Sequence, residues 1–119
     1  MPELIVSPAA RADLVAQWDY FADEVQDIDL ADRFLLSAEE TFGILTRSPG
    51  LGRPRKFSAN NLKGLHSWRL NGFPKHLILY RPLAKNAGVE IVRVLHGMRD
   101  LESILAVKPN SRRPTNWIR

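Results

Sequence analysis

The sequence predicts an α+β domain: an N-terminal strand, an αα-hairpin, an antiparallel three-stranded meander and a short C-terminal helix. Three observations predict it. Apolar residues recur at helical spacing in two stretches between residues 8 and 47. Three β-prone runs separated by turn residues fill 65–95. The charge changes sign between these regions: residues 1–49 hold 3 Lys/Arg and 10 Asp/Glu, and residues 50–119 hold 14 and 3.

Each element has its own signal. Glu3–Ser7 is a short β-prone run. Ser7 and Pro8 mark a helix start, with serine at the cap and proline at the first helical position, where its missing N–H costs nothing. Leu14, Trp18, Phe21 and Val25 then form one stripe, with Asp13, Asp19, Asp23 and Glu24 off it. Asp27-Ile28-Asp29 interrupts the pattern, and Asp29 is the expected second cap. The second stripe is Leu30, Phe34, Ala38, Thr41/Phe42 and Leu45, and Ser48-Pro49-Gly50 stops it. A tight connection between two helices makes a hairpin, whose outward face is expected to carry nearly all the acid.

Residues 49–63 read as a loop bearing Arg53, Arg55, Lys56 and Lys63. The β-like runs are 65–70, 76–81 and 89–95, and their short connections imply antiparallel neighbours. The third is apolar on both faces, which places it centrally or under a partner. Residues 97–105 have a short helical look, and the basic tail beyond carries Trp117 and Ile118. The hairpin can bury one sheet face, leaving the other for water or a partner.

At 119 residues the chain fits one domain of ordinary composition, 45% hydrophobic and 25% charged. It has no cysteine, which excludes disulfides, thiolate metal sites and a cysteine nucleophile. His66, His76 and His96 do not fall at a zinc spacing, so no metal and no cofactor are expected. The longest wholly apolar run is four residues, no secretory signal is visible, and a cytoplasmic protein without membrane contact is expected. The basic C-terminal half, in a chain of net charge +4, favours an anionic partner.

Candidate residues cluster in the meander. Arg69, Arg81 and Arg93 fall one per strand, and Arg99 follows the third. On one face they would form a cationic patch suited to phosphate or carboxylate; singly, each is as well explained as an edge residue covering apolar surface. His96, between an apolar strand and Gly97, is placed to act as a general acid or base, or to close the strand end with a ring hydrogen bond. Tyr80 reads as a core or groove aromatic, and Trp18 and Trp68 as core. No nucleophile–base–acid set, phosphate-binding glycine loop or carboxylate pair is present, so metal-free phosphodiester cleavage would rest on Arg, Lys, His and Tyr.

The string Ile91-Val92-Arg93-Val94-Leu95-His96-Gly97-Met98-Arg99-Asp100-Leu101 resembles the I-x-R-V-L-H-x-x-R-D signature of ParE-type toxins of bacterial toxin–antitoxin modules. Phe73–Arg81 resembles the same family's H-x-I-x-Y-R strand. Ser7–Leu14 and the Pro49–Pro54 loop fit as well, so the resemblance runs from about residue 3 to 105. It implies a RelE/ParE-like β-α-α-β-β-β toxin domain over 1–106; the basic C-terminal tail over 107–119, read from composition, has no counterpart in it. It implies a ParD-like antitoxin whose C-terminal segment folds along the toxin, with operator DNA reached only through that antitoxin.

The ParE branch is associated with inhibition of DNA gyrase, the RelE branch with cutting mRNA at the ribosome. RelE-type nucleases use basic residues on the sheet plus a tyrosine or histidine near the C-terminal helix. Here Arg69, Lys75 or His76, and Arg99 match the basic residues. The tyrosine is missing, since 101–106 are Leu-Glu-Ser-Ile-Leu-Ala, and His96 lies earlier. The expectation is therefore a gyrase inhibitor that acts by binding and is not an enzyme. Its expected target- or antitoxin-binding residues are Arg69, Tyr80, Arg81, Arg93, His96 and Arg99. The alternative is an endoribonuclease (mRNA interferase) using Arg69, Lys75, His76, His96 and Arg99.

Overall fold

The computed structural model describes residues 2–97 and Leu105. Most of the expected C-terminal helix, Arg99 and the tail 107–119 lie outside the described residues. In chain order the elements are β1 (Glu3–Val6), α1 (Pro8–Asp19), a π turn (Tyr20–Glu24), α2 (Ile28–Arg47), β2 (Arg53–Pro54), β3 (His66–Leu70), β4 (Phe73–Pro82) and β5 (Gly88–His96). The strands form one sheet in the order β1-β5-β4-β3-β2. The meander is antiparallel as expected, and β1 joins β5 in parallel. β5, the strand apolar on both faces, lies between β1 and β4.

The helix starts follow their local chemistry. Ser7 Oγ accepts the Ala10 N–H at 3.0 Å, and Pro8 opens α1. The π turn and Gln26, at φ 60°, end that segment. Asp27 then caps α2, accepting the Leu30 N–H at 2.9 Å. The expected cap was Asp29; it lies inside the first turn, where its negative charge still favours the helix N-terminus. α2 buries Ala31, Phe34, Ala38, Thr41, Phe42 and Leu45, nearly the stripe read from sequence.

α1 departs from the expectation. Its buried residues are Ala10, Asp13 and Gln17. Leu14 and Phe21 reach the core only in part, while Val25 is 44% exposed. Trp18 is half-buried and donates its indole N–H to Asp32 Oδ1 at 3.1 Å. The cause lies in the sheet, which offers polar partners to Asp13 and Gln17 that a hydrophobic pattern cannot register.

Two apolar clusters sandwich the sheet. The larger joins Phe34, Phe42 and Leu45 of α2 to Leu70, Ile78, Tyr80, Ile91 and Val94, with Trp68 partly buried against it. The smaller joins Leu77, Leu79 and Leu95 on the opposite face to Leu62, Leu65 and Leu105. The second face is therefore not simply left open: the 57–65 loop and Leu105 cover part of it. Arg81 ties that loop down, donating to the Lys63 and Asn61 carbonyls at 3.2 and 2.9 Å.

β5 carries a bulge at Val92, since Leu79 pairs with Arg93 and Tyr80 with Ile91. Beyond it β1 has ended, and α1 takes over the strand's free edge. Ser7 Oγ donates to the Val92 carbonyl at 2.8 Å, and Asp13 Oδ2 accepts the Val94 N–H at 2.9 Å. At the other end of the β1–β5 pair, Gly88 has φ +120°, and any Cβ there would run into the backbone of Glu3. Glycine is required for β1 to lie this close.

Candidate functional site

The residues singled out from the sequence divide into three groups. The first is structural. Arg93 makes a two-pronged ion pair with Asp13, Nε to Oδ2 at 2.8 Å and Nη2 to Oδ1 at 2.9 Å, with both side chains largely buried. Burial pushes the Asp13 carboxyl up from its usual range, against the pull of Arg93 and the Val94 N–H. Losing either partner would strand the other, at a cost of about 3–5 kcal/mol. Arg81 holds the 60–63 loop and faces Glu90 at 3.6 Å. Tyr80 is fully buried: its hydroxyl donates to the Pro49 carbonyl at 2.8 Å and accepts the Gly52 N–H at 2.7 Å. Burial raises its pKa, so it stays a neutral hydroxyl pinning the 49–52 loop to the sheet.

The second group is a histidine pair at the end of the β4–β5 ladder. His76 and His96 are register partners with ring centroids 4.9 Å apart. His76 is 4% exposed and surrounded by Phe21, Phe34 and Phe73. Its Nε2 faces Gln17 Oε1 at 2.8 Å. A carbonyl oxygen only accepts, so the proton sits on Nε2. Nδ1 is then a buried lone pair with no hydrogen-bond partner among the described residues. Burial, and secondarily the nearby His96, lower the His76 pKa to about 4. His96 is exposed.

The third group is a surface groove of about 550 Å³ beside β3. Its apolar lining is Leu51, Trp68, Leu70, Pro74 and Leu77, and Arg53, Arg55 and Arg69 line it as well. Each arginine is positioned by local structure. Arg53 pairs in register with Ser67, fixing β2 on β3. Arg55 donates to Ser67 Oγ at 3.3 Å, and Arg69 to the Pro74 carbonyl at 2.6 Å. β2 spans two residues and is paired opposite His66 and Ser67, so among the described residues no strand pairs with the Trp68–Leu70 stretch of β3 on that side. An apolar floor with three cations and an open strand edge suits an acidic, amphipathic segment. Of the groove's cations the sequence singled out only Arg69. Arg53 and Arg55 were visible as loop charges, but nothing in the loop composition announced that β2 would bring them alongside β3.

The meander therefore does not gather its basic residues on one patch. Arg69 pairs with Leu77, whose side chain joins the smaller cluster, and the pleat puts Lys75 on that same face. His76 lies on the other face against Phe34. Arg93 and Arg81 are engaged as above, and Arg99 lies outside the described residues.

This architecture has counterparts. A chain from a solved structure titled "Chromosomal ParDE TA system from P. aeruginosa" superposes with a TM-score of 0.64 at 19% identity, covering 82% of this chain and 98% of that one. What the two chains share is the fold. Residues 4–101 match the family model described as the ParE toxin of type II toxin–antitoxin system, parDE. The chain belongs to the ParE toxin family. No curated protein matches it.

Proposed function

We propose that this toxin acts by binding, that its target is DNA gyrase, and that a ParD-like antitoxin neutralises it by occupying the groove beside β3. The observation that favours the binding reading is that the residues of the nuclease alternative do not all lie on one side of the sheet. Arg69 and Lys75 are on one sheet face, and His76 is buried on the other with its affinity for protons lowered. An in-line attack needs a base and charge-stabilising groups converging on one phosphate. The family supplies the antitoxin as partner, and the groove supplies a surface of the right chemistry. Among the described residues no helix is long and apolar enough to cross a membrane.

The test is a supercoiling and cleavage-complex assay with the purified chain. Loss of supercoiling with accumulation of cleaved DNA is the expected result. No effect on gyrase at stoichiometric excess would remove the target. Messenger RNA cleavage that is abolished in His96→Ala would replace the binding reading with an enzymatic one.

A further inference from the structure

α1 is built inside out. Its inward stripe is Ala10, Asp13 and Gln17. Its outward stripe carries Pro8 and, between Arg11 and Asp19, Ala12, Val15 and Ala16. At about 100° per residue the two stripes lie on opposite sides of the helix. Val15 is 57% exposed, and the outward side lines a surface groove of about 560 Å³ that Val6 of β1 completes. Leu4, two residues earlier on the same pleat face as Val6, is 43% exposed on this edge strand. A helix that hides polar groups and shows apolar ones presents a surface for a partner.

The charges say which partner. Arg11 lies four residues before Val15 and Asp19 four residues after it, one helical turn to each side. Neither is in an ion pair among the described residues. A two-fold axis at Val15 that sets two copies of α1 antiparallel lays Arg11 of each copy against Asp19 of the other. A two-fold contact of this type uses the same patch twice and must be complementary to itself, and opposite charges equidistant from an apolar centre meet that requirement. Ala12 and Ala16 beside the axis let the helices approach closely. We infer that this face is a homodimer interface, with two copies of the chain packing α1 antiparallel about Val15 and joined by reciprocal Arg11–Asp19 pairs.

One helix stripe per copy is smaller than a standard interface, so dissociation is expected in the range of roughly 10–100 μM. Sedimentation equilibrium on the full chain tests it. Val15→Glu, at an exposed position that leaves the thermal melt unchanged, weakens association at least ~30-fold, because it buries a charge against its own copy. Arg11→Asp and Asp19→Arg each weaken it by roughly tenfold, and the double variant Arg11→Asp/Asp19→Arg restores it. A wild-type chain that stays monomeric at roughly 1 mM overturns the inference. So does a Val15→Glu dimer as tight as wild type, or a double variant no better than the singles. A monomeric wild type whose Val15→Glu variant loses its antitoxin gives the face to a different chain and equally overturns it.

Discussion

His76 shows how burial turns a titratable side chain into a pH-dependent stability element. Its ring sits among three phenylalanines, with Gln17 on Nε2 and His96 as the other titratable group beside it. The folded pKa is about 4, against 6.5 for an ordinary histidine. Between those values the unfolded chain binds a proton that the folded chain refuses. The stabilisation is therefore complete above pH 6.5 and is lost as pH falls toward 4, by about 3 kcal/mol in all. Urea denaturation at pH 7 and at pH 4.5 should show the midpoint falling, and His76→Gln should flatten most of that dependence. Equal pH dependence in the variant would assign it to other groups. The same residue marks a limit of sequence reading. The H-x-I-x-Y-R pattern placed His76 and Tyr80 on one strand, but whether they faced solvent or core depended on which sheet face the helices covered.

At the scale of elements, β1 is the strand most dependent on a single residue. Among the described residues it pairs only with β5, from Glu3–Gly88 to Val6–Ile91, and Gly88 at the start of that register leaves no room for a side chain. Gly88→Ala adds a Cβ both at positive φ and against the Glu3 backbone. The expected cost is about 2–4 kcal/mol. Hydrogen exchange should localise the damage to β1 and the first turn of α1, and protection of Leu4–Val6 equal to wild type would show that the strand tolerates the change. Helix α2 and the three meander strands were legible in the sequence because their apolar periods matched their burial. α1 was not. Ala10, Asp13 and Gln17 do recur at helical spacing, but a polar stripe is read as outward unless its partners are known. Those partners, Arg93 with the Val94 N–H and His76, lie some 60 to 80 residues away in sequence.

Over the whole molecule the asymmetry of charge is resolved into surfaces. The acidic N-terminal half supplies the hairpin, though Asp13 is buried against β5, and the basic half contributes Arg53, Arg55 and Arg69 to the groove beside β3. Arg53→Glu combined with Arg69→Glu changes two exposed positions. It is expected to weaken antitoxin binding by roughly 10–100-fold, and the wild-type affinity is expected to fall with added salt. Titration by calorimetry at two ionic strengths measures both. An affinity that the double reversal leaves unchanged would place the antitoxin elsewhere on the toxin.

The sequence by itself determined the family, the α+β class and the order of strand, helical hairpin and meander. These rest on local information: caps, turn residues and the period of apolar side chains. Only the tertiary structure decided which arginines remain available. Arg93 and Arg81 are drawn into an ion pair and a loop anchor, while Arg53 and Arg55 join Arg69 at the groove. The physical reason is that a guanidinium's role is set by the acceptor it meets, and here the acceptors come from other parts of the chain.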